Sequence, residues 1–201
     1  MADKNPTIDV REGEALDMSK IDPLLKAAIP GLKGEAVVKQ YPSGASNLTY
    51  AVDYPDRNLV LRRPPFGKIP KSGHDMFREY RIMRDLKPVF GAVPSVCYYT
   101  DDESHIGKEF YVMDRVDGHI LHRIPNEWNW GEAENRALCE EFFTKLCDLH
   151  TLDVDAAGLS DFGRPEGYVE RQILGWNRRW NRVLTEDVPH YEDIQAWLEE
   201  N

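Results

Sequence analysis

"EAVVKQYPSGASNLTYAVDYPDRNLVLRR", residues 35–63, decides the fold. It holds three runs rich in β-branched and aromatic residues, "EAVVKQY", "LTYAVDY" and "LVLRR", parted by "PSGASN" and "PDRN". Such runs, bounded by Pro, Gly, Asn and Asp, read as strands joined by short turns, so an antiparallel meander is predicted. Strand alternation puts Arg62 on the same face as Val60.

The flanking sequence extends this frame. Upstream, "MSKIDPLLKAAI" at 18–29 predicts a short helix ended by Pro30-Gly31. Downstream, residues 72–86 carry Met76, Glu79, Met83 and Leu86 along one helical face. Two further strands follow, "SVCYY" and "EFYVMDRV", and Asp117-Gly118 ends the second. From Glu132 the pattern is helical over 132–150, 167–184 and 190–200. Five strands and one helix, followed only by helices, predict an α+β protein with two segregated lobes.

A chain of 201 residues suits one domain or two small lobes with a real core. A net charge of −10 argues against a nucleic-acid partner, which needs a cationic face to displace counterions. Cys97, Cys139 and Cys147 show no Cys-x-x-Cys spacing and are expected to be small buried hydrophobes. The charged N-terminus lacks an apolar signal core, and no apolar run approaches membrane-spanning length. The expectation is a soluble, cytoplasmic protein with no membrane partner.

Glu79 is the informative oddity. A carboxylate on an apolar stripe loses hydration and needs a cationic partner. Arg62 is the candidate, and an Arg on a central strand paired to a Glu on the next helix is how kinases hold ATP phosphates. The plainer alternative is a helix-face Glu bonded to some surface Arg. The turn "YPSGASNLTY" adds context: small residues let backbone N–H groups approach a phosphate. Gly44 gives conformational freedom, and Ser43, Ser46 and Asn47 add side-chain donors. In a kinase-like lobe, Met113 to Val116 would expose backbone groups to an adenine edge.

The ordered set "YPSGASN", "LVLRRPP", "FREYRIM", "VPSVCYY", "FYVMDRVDG" and "GLSDFGRPEGYVERQI" resembles the aminoglycoside phosphotransferase family. It is most similar to the subgroup related to kinase-like domains fused to some acyl-CoA dehydrogenases. The resemblance runs from about residue 30 to the end. It implies a protein-kinase-like fold that moves the γ-phosphoryl of ATP or GTP, with Mg²⁺, to a hydroxyl of a small molecule. By residue, it implies nucleotide binding by Ser43, Gly44, Ser46, Asn47, Arg62, Glu79, Met113, Asp114 and Val116. Arg62 stands where kinases more broadly have Lys, exchanging a point charge for a planar fork. The implied organisation is an N-terminal segment and helix at 1–30, a nucleotide-binding lobe at 31–117, and the start of a helical lobe at 118–201.

"HTLDVDAAGLSDFG", residues 150–163, spells a second kinase signature, but the spelling is read as accidental. A kinase catalytic Asp is followed five residues later by a metal-binding Asn. Five past Asp153 stands Gly158, and five past Asp155 stands Ser160. Asp153 and Asp161 are also only eight apart, whereas the intervening hairpin needs about 10 residues. His150 is expected to end a long helix. The family's His-Gly-Asp segment occurs nowhere: the six His are 74, 105, 119, 122, 150 and 190. The expectation is therefore a helical lobe that is incomplete after "IQAWLEEN", with no catalytic residue, no metal ligand and no turnover by itself. Two readings follow: part of an ATP-dependent phosphotransferase, or a non-catalytic pseudokinase module binding a nucleotide or a second polypeptide. In "GYVERQILGWNRRWNRVL", Ile173, Trp176, Trp180 and Leu184 predict a packing face beside a basic edge of Arg171, Arg178 and Arg182.

Overall fold

The computed structural model describes residues 6–42, 47–67, 74–121 and 123–201. Its elements follow the apolar periodicities closely. They are α1 (Met18–Ala28), β1 (Val37–Gln40), β2 (Leu48–Asp53), β3 (Asn58–Arg63), α2 (Met76–Leu86), β4 (Val96–Thr100), β5 (Phe110–Asp114), α3 (Glu132–His150), α4 (Tyr168–Val183) and α5 (Glu192–Glu200). The five strands form one antiparallel sheet in the order β1-β2-β3-β5-β4. The meander therefore stops at β3, and β5 is inserted between β3 and β4.

Because successive strand residues face opposite ways, this register sorts the sheet into two chemically distinct faces. Tyr50 pairs with Leu61, which pairs with Val112, and Val52 pairs with Leu59. These residues are fully buried and join Leu48, Tyr54 and Phe110 in one cluster closed by Ile21, Leu25 and Ile29 at α1. Each such Leu or Ile contributes about 1.5–3 kcal/mol by leaving water. Polar tips secure the cover: the Tyr54 hydroxyl donates to Asp22 at 2.8 Å, and that of Tyr50 donates to the Glu14 carbonyl at 2.8 Å. Burial pushes Tyr50 up to about 12. The other face carries Thr49, Arg62 and Tyr111 in one lateral row and Ala51, Val60 and Met113 in the next.

Helix α2 lies against β4 and β5, with Tyr99 between Phe77 and Tyr80 at ring separations of 5.1 and 5.4 Å. Asp75 caps its start by accepting from the Arg78 N–H at 2.8 Å. Arg63, next to Arg62 but on the core face, is 2% exposed. It donates to the carbonyls of Pro64 and Ile106 and lies 3.8 Å over the Phe66 ring, and burial pulls its pKa down.

The chain divides into two compact units, Met1–Ala157 and Gly158–Asn201. The lobe boundary expected at 117/118 falls inside the first of these units. In the second unit α4 and α5 run antiparallel. Asn177 donates to Glu199 at 2.7 Å, Asn181 and Gln195 exchange hydrogen bonds, and Trp180 meets Tyr191 at 5.6 Å. No residue of α3 is buried, which corrects the expectation for two cysteines: Cys139 and Cys147 are exposed, and only Cys97 is half-buried. Among the described residues, no helix is long and apolar enough to cross a membrane.

Candidate functional site

The face of the sheet opposite α1 carries a clamp and a cavity. In the clamp, Glu79 sits one turn into α2 on its inward stripe, and Arg62 Nε lies 3.2 Å from Glu79 Oε2. The ion pair reasoned from the stripe is thus formed, with both side chains about a third exposed. The Arg62 N–H does not aim at that oxygen, so buried Nε has no hydrogen bond among the described residues. Two further partners complete the carboxylate. The Tyr111 hydroxyl donates to Oε2 at 2.9 Å, and Asn47 Nδ2 donates to Oε1 at 3.1 Å. Burial, and then the charge of Glu79, pushes the Tyr111 phenol well above its usual range, so it stays a donor.

The cavity, about 440 Å³, opens beside the second row of that face. Val60, Met113, Val116, Ile120 and Pro94 supply apolar walls, and Tyr41, Thr49, Asp114, Arg115 and His119 are among the polar residues lining it. That volume suits a small aromatic ligand, since such sites run from about 300 to 1,000 Å³. A larger trough, about 800 Å³, runs along Cys139, Phe143 and Cys147. It is lined by α3 alone, and one helix cannot enclose a ligand, so the smaller cavity is the better site.

The segment leaving β5 is pinned by backbone and side chains alike: the Asp114 N–H donates to the Ser95 carbonyl at 2.8 Å and the Arg115 N–H to that of Asn58 at 3.0 Å. Asp114 accepts from Arg57 Nε at 2.8 Å, and Arg115 Nη1 reaches both oxygens of Asp53 at 2.7 and 2.8 Å. The Asp114 bond holds the Arg57 pKa above its usual value. Among the described residues, no hydrogen bond engages the Val116 N–H beside the cavity. A pinned strand exit with an open backbone donor can bind a flat heteroaromatic edge.

Of the residues singled out from sequence, Arg62 and Glu79 meet in the clamp, while Met113, Asp114 and Val116 line the cavity. Asn47 joins the clamp as the donor to Glu79. Ser43, Gly44 and Ser46 lie outside the described residues. Tyr111 and His74 were not anticipated, because only the pairing of β3 with β5 puts Tyr111 beside Arg62. In the 150–163 stretch, Asp153 Oδ1 accepts from the N–H groups of Asp155 and Ala156 at 3.0 Å. No strand follows it before Gly167, so it builds a local turn.

A five-stranded antiparallel sheet with an Arg–Glu clamp defines a phosphotransferase-like module of protein-kinase-like fold. The profile of the phosphotransferase enzyme family (APH) matches residues 37–201, and the chain belongs to that family. It is 34% identical over 205 residues to acyl-CoA dehydrogenase family member 11 of Gallus gallus, covering 100% of this chain and 26% of that protein. It is 31% identical to family member 10 of Mus musculus, covering 96% of this chain and 18% of that protein. The chain thus spans about a quarter or less of these curated relatives. A crystal structure from Ralstonia eutropha, assigned to the aminoglycoside phosphotransferases, superposes with a TM-score of 0.76 at 29% identity, covering 93% of this chain and 54% of that one.

Proposed function

We propose that the cavity-bearing face binds the nucleotide of an ATP- or GTP-dependent small-molecule phosphotransferase. The base enters the slot between Val60 and the Met113–Val116 exit, and the phosphates reach toward Arg62. The observation that carries this reading is the adjacency of clamp and cavity on neighbouring rows of one face. The Arg62 side chain keeps about a third of its surface in solvent, so its guanidinium can meet phosphates while paired to Glu79. Val116 offers its N–H to the base edge, and the Asp114 and Arg115 ion pairs keep that edge in place.

Phosphoryl transfer needs more than this. Its acceleration comes from positioning an acceptor and neutralising charge on the transferred group. Mg²⁺ would supply much of that neutralisation when bound with the nucleotide. Among the described residues, no group of three His, Cys, Asp or Glu side chains is placed to hold an ion, and no step is assigned to one. With no His-Gly-Asp among the 201 residues, we read them as binding nucleotide without transferring phosphate on their own. The small-molecule hydroxyl acceptor then belongs to a protein that includes such a segment.

A calorimetric titration of the 201-residue chain with ATP and with GTP, followed by a phosphate-transfer assay, tests this. Saturable binding without turnover is expected. Absence of saturable binding refutes the nucleotide reading, and turnover that dies in Arg62→Ala refutes the second half. A second reading, a non-catalytic module that holds a partner polypeptide, is favoured by Phe142 and Phe143 of α3, 61% and 59% exposed. It predicts a complex that Phe142→Ser breaks while ATP binding persists.

A further inference from the structure

Asn47 ends the "PSGASN" turn by sequence and leads directly into β2, yet its side chain is 6% exposed. A buried amide must have its hydrogen bonds satisfied, and both ends of this one are. Nδ2 donates to Glu79 Oε1 at 3.1 Å, and Oδ1 lies 2.6 Å from His74 Nδ1. The orientation follows from chemistry. An ionised carboxylate only accepts, so the NH₂ group must face Glu79 and the carbonyl must face His74. The 2.6 Å contact then requires a proton on His74 Nδ1, whether in the neutral Nδ1–H tautomer or the imidazolium. The other neutral tautomer would set two lone pairs against each other.

We propose that Asn47 is a positioning residue of the phosphate clamp, holding Glu79 in register with Arg62, and that His74 sets its orientation. This rests on the nucleotide-binding reading. His74 immediately precedes Asp75, the cap of α2, and Glu79 lies one turn into the same helix. Asn47 therefore holds Glu79 within α2 and His74 just ahead of the helix cap. With Oε1 held by Asn47, Oε2 is presented to Arg62 and Tyr111 together. Without that grip the carboxylate turns about its last bond, and the guanidinium loses its fixed counter-charge. The residue ending the turn thus acts on the phosphate site through Glu79 and not by touching the nucleotide.

The test is a double-mutant cycle on ATP affinity with the full 201-residue chain: wild type, Asn47→Ala, Glu79→Gln and the pair. Each single change is expected to weaken binding about tenfold, the scale of a hydrogen bond to a charged group. The pair is expected to be no weaker than the worse single, since both act through one carboxylate. Losses that multiply to about a hundredfold would show independent contacts and overturn the proposal. In parallel, the ¹⁵N shifts of the His74 imidazole report its tautomer. The proton belongs on Nδ1 in the wild type and moves to Nε2 in Asn47→Ala; a wild-type proton on Nε2 alone overturns the lock. His74→Leu should weaken binding, and His74→Gln, which can still donate, should recover most of the loss. Thermal unfolding of each variant separates these effects from misfolding. A wild-type chain that does not bind ATP overturns the nucleotide reading itself, and the tautomer still shows whether the lock exists.

Discussion

The two faces of the sheet are made from the same strands and have opposite chemistry. On one, Tyr50, Val52, Leu59, Leu61 and Val112 are sealed beneath α1, and the one hydroxyl among them donates to the Glu14 carbonyl. On the other, Thr49, Val60 and Met113 line a cavity, and Arg62 and Tyr111 converge on Glu79. The difference is one residue of register. Leu61 and Arg62 are neighbours in sequence, but the first is fully buried and the second keeps about a third of its side chain in solvent. Strand alternation gives one sheet a sealed face and an open one, so substitutions one position apart should fail in different ways.

That separation can be broken in four experiments of decreasing effect. Leu61→Ala should lose about 2–5 kcal/mol in urea unfolding, because it empties a sealed core; a loss below 1 kcal/mol would mean the face is not packed as described. Arg62→Ala should move unfolding little but weaken ATP about tenfold or more, the scale of a lost charged contact. Equal damage to both quantities would erase the distinction between faces. The third experiment uses pH. Tyr50, near 12 when folded, retains its proton where the unfolded phenol, with an ordinary pKa of 10.0, has lost it. The unfolded state then binds fewer protons, so stability is full below pH 10 and falls as pH rises toward 12. By pH 11 the share of Tyr50 in that loss should be about 1 kcal/mol, and Tyr50→Phe should remove this share while leaving that of Tyr54, Tyr99 and Tyr111, whose phenols are raised in the same direction. The smallest effect is Arg136→Ala, which removes an exposed pair with Glu140 on α3. It should change stability by less than about 0.5 kcal/mol and leave ATP affinity untouched.

Much of this was legible in the sequence because it depends on local periodicity. The strand runs of 35–63, the stripe of Met76, Glu79, Met83 and Leu86, and the helix ending at His150 all appear where their patterns predict. Alternation also put Arg62 on the face of Val60, and the next residue, Arg63, is buried on the core face. What was not legible depends on non-local pairing. Nothing near Tyr111 in sequence says that β5 lies beside β3, so its hydroxyl at Glu79 could not be foreseen. The Asn47–His74 contact joins residues 27 apart across β2 and β3, and no periodicity encodes it. Cys139 and Cys147 were misjudged for a related reason: an apolar position on a helix implies burial only if another element covers it, and no residue of α3 is buried.

The central claim is that the nucleotide belongs to the Val60–Arg62 face and not to the α1 face. The most direct test is a titration of ¹⁵N-labelled chain with ATP, following every backbone amide. The account predicts saturable shifts concentrated at Thr49, Ala51, Val60, Arg62, Tyr111, Met113 and Val116, with Ile21, Leu25 and the rest of α1 unmoved. Shifts gathered on α1, or none at any ATP concentration, would contradict it.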